Sequence, residues 1–438
     1  MTELVNADLQ AETTGLLQTL IRFNTVNPPG NEKPAIDYLD TYLSRHGFET
    51  EQLALDPNRP NLIASLKGTA PGPTLVLLGH VDTVLANPED WIHDPWSGEL
   101  DGGYLWGRGA IDMKNQVAAE AVAAVQLVRS GWRPKAGVLK LIFVSDEEAG
   151  GAYGARFLTE QHPEKVRCDY LLNEGAGSYF EHAGQRCYGV CCGEKGIFRF
   201  KLTAHGQAGH ASMPRLGDNA LLKLAPVLER LRQGSSGFDP TEAPLRMLEL
   251  LGQDSSDPAQ AIKNLAELNP LLPIIIEPML TVTLTPTIAH ASEKINVIPA
   301  HAYLKIDTRV PPGLGADIAL KRLHEVLGES AEGLEIEFTE QVYGYASPSD
   351  SKLMDVIEGW LQAHDPGSRA LPVLLPGYSD SSHFRAAFPE LIAYGFFPQR
   401  HQPMLETVPL MHNANERIDV RDLGYAARFY ADAAQALL

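Results

Sequence analysis

Positive charge is in short supply: 36 lysines and arginines stand against 55 aspartates and glutamates, a formal net charge of −19 over 438 residues. A surface of that sign repels phosphate backbones and anionic headgroups, which argues against nucleic acid or an anionic membrane as a partner. Cysteine is scarcer still. Cys168, Cys187, Cys191 and Cys192 are the whole complement, and no CxxC pair is matched by a second one. The adjacent Cys191 and Cys192 are poorly placed to chelate one metal together, so the four are expected to be buried, reduced thiols of a cytosolic protein. No apolar run approaches the ~18 residues that a membrane-spanning helix needs. The opening residues, MTELVNADLQ, lack the cationic and apolar regions of a secretory signal, so the expected location is cytoplasmic. Repeats and low-complexity tracts are missing as well.

What remains is ordinary globular composition, 44% hydrophobic and 21% charged, in a chain too long for one core; two domains are expected. Residues 7–22 and 33–46 have helical spacing, and Gly47 caps the second. Short apolar strands follow at 61–66 and 74–78, an Ala/Val-rich helix at 115–128, and buried strands at 138–144 and 170–172. This alternation predicts an α/β fold, a mostly parallel sheet with helices on both faces. The texture then changes. Alternating strands at 197–203, 281–287, 301–309 and 334–339 enclose helices at 219–232 and 316–327. Their order, β-α-β-β-α-β, predicts an inserted ferredoxin-like α+β domain over 194–341. Residues 1–193 and 342–438 would form the surrounding domain, resuming with helices at 351–363 and near 419–436. A long segment, about 234–278, with an apolar run at 271–276, interrupts the inserted domain.

Residues able to carry chemistry fall at strand ends, where open α/β sheets place their sites. His80 and Asp82 follow the strand at 74–78 and point the same way, so an imidazole could bind metal while the carboxylate takes its other N–H. Asp112 closes the turn Trp106-Gly107-Arg108-Gly109, and its two oxygens could bridge two cations. Glu147 and Glu148 follow the strand at 138–144, Glu174 follows 170–172, and His412 lies in a late loop ahead of Asn415-Glu416, read as an acidic helix start. Each alone is weak: a surface turn, a tight glycine turn or a solvated acidic loop explains it as well. Together, two histidines and three carboxylates are the ligand types that a pair of divalent cations needs. Glu147, beside a presumed ligand, stands where a general base for a bound water would have to be.

The motifs GHVD, LWGRGAIDMK, VSDEEAGG, NEGAG, GQAGHASMP, INVIP, DTR, GYSDSSHF and MHNANE run through nearly the whole chain. It resembles metallopeptidase family M20, which includes aminoacylases, acetylornithine deacetylase, succinyl-diaminopimelate desuccinylase and glutamate carboxypeptidases. The resemblance implies two zinc ions, with cobalt or manganese also suited to the donors. It places one on His80, Asp112 and Glu174 and the other on Asp112, Glu148 and His412, with Asp112 bridging. It makes Glu147 the general base, Asp82 the orienter of His80, and the Asp112–Met113 peptide cis. The inserted domain would be a lid and the contact surface of a homodimer. In it His210 would stabilise the tetrahedral oxyanion and Asn296 and Arg309 would hold the substrate's carboxylate, while Gly377 would line the cleft. The implied activity is hydrolysis of an N-acyl amino acid or short peptide bearing a free carboxylate. The alternatives are a dinuclear aminopeptidase or dipeptidase that recognises a free amine, and a non-catalytic binding module on the same fold. The long 234–278 segment resembles the larger carboxypeptidase and acyl-amino-acid hydrolase members more than the short deacetylases.

Overall fold

The computed structural model describes residues 2–234 and 237–438. They divide into two compact units: Met1–Cys192 with Ser347–Val373 and Ser379–Leu438, and Gly193–Ala346 with Leu374–Tyr378. Numbered along the chain, the strands of the two main sheets are β1 (Glu49–Leu53), β2 (Asn61–Lys67), β3 (Thr74–His80), β4 (Val138–Val144), β5 (Tyr170–Asn173), β6 (Tyr179–His182), β7 (Gln185–Glu194), β8 (Gly196–His205), β9 (Thr283–His290), β10 (His301–Val310), β11 (Leu334–Val342), β12 (Arg369–Leu375) and β13 (Ile392–Gly395).

The first sheet runs β1-β2-β4-β3-β5-β13-β7-β12, with β6 on β7. Its centre is parallel: β4 with β3, β3 with β5 and β5 with β13. The flanks are antiparallel, in β1–β2, β2–β4, β13–β7 and β6–β7. The expected mostly parallel sheet is therefore met only in its middle. For β1–β2 and β6–β7 the physical reason is connection length, since a parallel crossover needs a dozen or more residues. The two-residue link Ala183-Gly184 between β6 and β7, both left-handed at φ 50° and 76°, permits only a hairpin.

β3 reads TLVLLGH and is buried on both faces, as a central strand covered by helices must be. The helix Lys114–Arg129 lies against it, also in contact with Thr2–Arg22 and Val420–Leu437, and its Ala/Val-rich surface is buried almost all round. Gly79 allows that closeness: a Cβ there would meet the Val117 methyl Cγ2 at 2.8 Å. Register does the rest. His80 stands opposite Val144, and Val81 N–H donates to the Val144 carbonyl at 2.9 Å. The residues leaving β3, β4 and β5 therefore emerge together at one edge of the sheet.

In the second unit the strand order β9-β10-β8-β11 is antiparallel throughout, the ferredoxin-like order. Helices Ala225–Gln233 and Ala316–Leu327 bury Val227, Leu231, Leu323 and Leu327 with Phe198, Phe200, Leu202 and Ile306. The helix expected at 219–232 is two pieces, Ala220–Lys223 and Ala225–Gln233, because Pro226 lacks an N–H and disfavours a helical residue before it. The interrupting segment folds into three helices, Glu242–Leu250, Pro258–Leu268 and Leu272–Leu280. The apolar run 271–276 enters the last of these. Lys195 caps that helix by donating from Nζ to the carbonyls of Pro278 and Thr281, both at 2.8 Å. All four cysteines are free and buried. No helix among the described residues is long and apolar enough to cross a membrane.

One buried acid yields a test. Glu120, inside Lys114–Arg129, accepts from Gln116 at 2.8 Å through Oε1, and its Oε2 has no hydrogen-bond partner among the described residues. Burial pushes its carboxyl well above the ordinary 4.5. The stability this group contributes is complete below that value and is lost as pH rises toward the folded-state value, because the unfolded chain ionises freely and the native one cannot. Glu120→Gln removes the ionisation. Thermal melts should therefore show a gain of a few degrees at pH 8 and almost none at pH 4. Equal shifts at both values would sink this account.

Candidate metal centre

Five loops meet at the C-terminal ends of β3, β4 and β5, and Asp112 is at their centre. Its Oδ1 lies 3.2 Å from His80 Nε2 and its Oδ2 lies 2.9 Å from His412 Nε2. One carboxylate thus faces two imidazoles, one on each oxygen. Glu174 Oε1 is 3.7 Å from His80 Nε2, and Glu148 Oε2 is 3.4 Å from His412 Nε2. In two sets, His80/Asp112/Glu174 and Asp112/Glu148/His412, the possible ligand atoms of each set lie within 4.8 Å of one another. These are the two sets expected from sequence, and an all-N/O donor set of this kind fits zinc, cobalt or manganese.

Asp82 is the organiser of this edge. Its Oδ1 is 3.4 Å from His80 Nδ1, and its backbone carbonyl is 3.1 Å from the same nitrogen. It also accepts the Glu147 N–H at 3.2 Å and the Glu148 N–H at 3.1 Å. A single carboxylate therefore fixes both the imidazole on β3 and the acid pair after β4. The acid pair starts from Asp146, whose φ of 75° is left-handed, a conformation Asp tolerates better than most residues. His412 is also left-handed, at φ 58°. The Asp112–Met113 peptide is cis.

The electrostatics are those of crowded acids. Burial, then the charge of Glu174, pushes Glu147 well above the usual carboxylate range, and Asp380 adds to this. Burial and the charge of Asp112 do the same to Glu174. For Asp112 burial pulls upward, but hydrogen bonds with His412 and His80 outweigh it and hold the carboxyl low. Those bonds act reciprocally. His412, bonded to Asp112 and Glu148, is pushed up to about 10. Burial opposes charge on His80, yet its bonds to Asp112 and Asp82 hold it well above 6.5.

Two residues of this edge had no role assigned from the motifs, although MHNANE ends on Glu416. Glu416 does not begin a helix: a short strand, Arg417–Asp419, follows it, and the helix starts at Val420. Fully buried, it accepts Gly109 N–H at 3.1 Å, Ile111 N–H at 2.6 Å, Asp112 N–H at 3.0 Å and Arg108 Nη1 at 2.7 Å. It thereby clamps the turn that presents Asp112, four residues from His412. Asn27 is the other; its Nδ2 donates to Asp82 at 2.9 Å and to Asp146 at 3.0 Å. Its stretch Asn27-Pro28-Pro29-Gly30 has the composition of a turn, which says nothing of its partners.

The residues expected to recognise substrate belong to the second unit. His210 pairs with Val297 across a two-strand ribbon, and the Asn296 carbonyl accepts Ala211 N–H at 3.1 Å, so these two are neighbours. His210 Nδ1 lies 3.2 Å from the Ser212 backbone nitrogen and 2.8 Å from Ser212 Oγ. Arg309 donates from Nε to Asp307 at 2.7 Å. Gly377 falls in the short piece Leu374–Tyr378 that also counts with the second unit.

A histidine–carboxylate cluster at the strand ends of an α/β unit, with an inserted ferredoxin-like unit, defines the two-unit metallopeptidase class. The chain belongs to peptidase family M20/M25/M40, whose sequence profile matches residues 76–436. It is 28% identical over 430 residues to a succinyl-diaminopimelate desuccinylase of Methylorubrum extorquens, covering 95% of this chain and 96% of that one. Aminoacylase-1 of Mus musculus is 25% identical over 411 residues, covering 92% and 90%. Against a desuccinylase of Wolbachia pipientis the match is 29% over 249 residues, and the chain spans only 60% of that relative. In fold, an M20 metallo-carboxypeptidase of Sulfolobus solfataricus superimposes with a TM-score of 0.74 at 18% identity, covering 97% of this chain and 99% of that one.

The protonated imidazoles make a prediction about metal removal. In chelator-stripped protein at neutral pH His412 and His80 hold protons that a cation must displace. Titration of zinc into this protein should release protons, seen as a dependence of calorimetric heat on buffer ionisation enthalpy. Affinity should weaken as pH falls. Heats independent of the buffer would show that neither imidazole becomes a ligand.

Proposed function

We propose that the protein is a metal-dependent amide hydrolase acting on an N-acyl amino acid or short peptide with a free carboxylate. The observation that carries this is Asp112 shared between two imidazoles, with Glu147 half-buried among the neighbouring acids. His80, Asp112 and Glu174 would hold one divalent cation and Asp112, Glu148 and His412 a second, zinc by family resemblance. When bound, the pair supplies a water acidic enough to be deprotonated near neutral pH. Glu147 takes that water's proton, and a carboxyl whose affinity for protons is raised by burial is suited to hold it and return it to the leaving amine nitrogen. Asp82 keeps the His80 ring in one orientation while this happens. His210 would donate to the carbonyl oxygen as negative charge develops there. Arg309, braced at Nε by Asp307, keeps its Nη pair for a planar carboxylate. Asn296 and Gly377 complete the contacts to substrate. The inserted unit also supports a homodimer, since β9 is an edge strand and Ile288, Ile295 and Val297 near it are exposed.

A panel of N-acyl amino acids, their C-terminal amides and free dipeptides, read by released amine, tests the proposal. Free-acid N-acyl substrates should be cleaved and amides poorly. Equal rates on both would remove carboxylate recognition and favour an enzyme that reads a free amine. Arg309→Ala should cost free-acid substrates ~2–4 kcal/mol of transition-state stabilisation and leave amides almost unaffected. Glu147→Gln should keep its full metal content and lose ~10²–10⁴ in kcat; loss of metal instead would make Glu147 a ligand.

A further inference from the structure

The loop after the first helix is tied to the segment that follows β3. Thr25 Oγ1 donates to the Val81 carbonyl at 2.6 Å. Thr83 N–H donates to the Thr25 carbonyl at 3.1 Å, and Asn27 N–H to the Thr83 carbonyl at 2.9 Å. This short ladder sets Asn27, 5% exposed, between two buried carboxylates. Both hydrogens of its Nδ2 are used, one on Asp82 Oδ2 and one on Asp146 Oδ1.

Those two carboxylates are the ones that shape the site. Asp82 holds the His80 ring and the backbone N–H groups of Glu147 and Glu148. Asp146 accepts the Tyr153 N–H at 3.0 Å and, being left-handed, turns the chain so that Glu147 and Glu148 face inward. Two buried like charges around one point are costly unless something between them donates to both. An asparagine amide does this with fixed geometry and adds no charge. On the far side Asp146 Oδ1 also meets Arg59 Nη2 at 2.9 Å, which is paired in turn with Glu32 at 2.6 Å. Gly30 leaves room for that guanidinium; a Cβ there would lie 2.4 Å from Arg59 Cζ.

We propose that Asn27 is a positioning residue for the hydrolysis: by bridging Asp82 and Asp146 it sets the separation between His80 and the Glu147–Glu148 pair. This rests on the hydrolytic role proposed above. Asn27→Asp keeps the shape but puts an acceptor where both neighbours need a donor, and Asn27→Ala removes the bridge without adding charge. Thr25→Val is the control, because it loosens the same loop and leaves the amide bridge in place.

The full-length, zinc-loaded proteins are compared for melting temperature, for kcat and KM on an N-acyl amino acid that the wild type cleaves, and for the rate at which zinc is lost to a chromophoric chelator. The expected result for Asn27→Asp is a ~10–100-fold loss in kcat with KM within a few-fold and zinc lost at least ~10-fold faster. Asn27→Ala should change in the same direction by less. Thr25→Val should lower the melting temperature with kcat and zinc release close to wild type. If the Asn27 variants release zinc and turn over like the wild type, or differ from Thr25→Val only in proportion to lost stability, the residue merely anchors the loop and the proposal fails. Should Asn27→Asp not fold, Asn27→Ala decides by the same readings. If the wild type cleaves nothing, the hydrolytic role falls, while the zinc-release comparison still judges the bridge.

Discussion

Buried carboxylates packed against one another at the ends of three neighbouring strands are the constraint to which the rest of the structure answers. Asp82 and Asp112 are buried and Glu147, Glu148 and Glu174 partly so, gathered where water screens them poorly, and such repulsion grows as the dielectric falls. The protein offsets part of it by design of its backbone. Asp82 is held by the N–H groups of Glu147 and Glu148, Glu416 by three N–H groups and Arg108, and Asp146 by Asn27, Tyr153 and Arg59. What the backbone leaves over falls on Asp112, Glu148 and Glu174 with His80 and His412, the groups able to hold cations.

The parallel centre of the sheet makes this crowding possible. Side-by-side parallel strands end at the same edge, so three separate loops deliver ligands to one place without long excursions. Gly79 and the Ala/Val-rich helix Lys114–Arg129 let the layers approach closely, and the helix begins two residues after Asp112. Packing and chemistry are thus joined in the same few residues. The second unit has another task. Its antiparallel sheet, with one helical face, carries Arg309 at a partly exposed position, while His210 and Asn296 lie exposed at a separate two-strand ribbon.

The residues legible in the sequence were those whose own neighbours announce them. His80-Val81-Asp82 follows an apolar run, Asp112 ends a glycine turn, and Glu147-Glu148 interrupts a strand with acids. Their grouping emerged only when they were taken together. Asn27 and Glu416 gave no such sign. Asn27 sits in a proline turn that looks like a connection, and Glu416 follows an asparagine as if to start a helix. Their roles come from partners 55, 119 and more than 300 residues away.

By itself the sequence determined the main helices and central strands, the two textures and the identity of the metal-type side chains, because periodicity and residue chemistry are local properties. It did not determine the direction of the flanking strands, the break at Pro226 or which buried groups hold the acids in place. Those depended on which strand ends meet, how closely a helix can approach a sheet, and where a lone amide or carboxylate finds its hydrogen bonds. Such matters are set by distances between parts far apart in the chain, and only the folded structure brings them within bonding range.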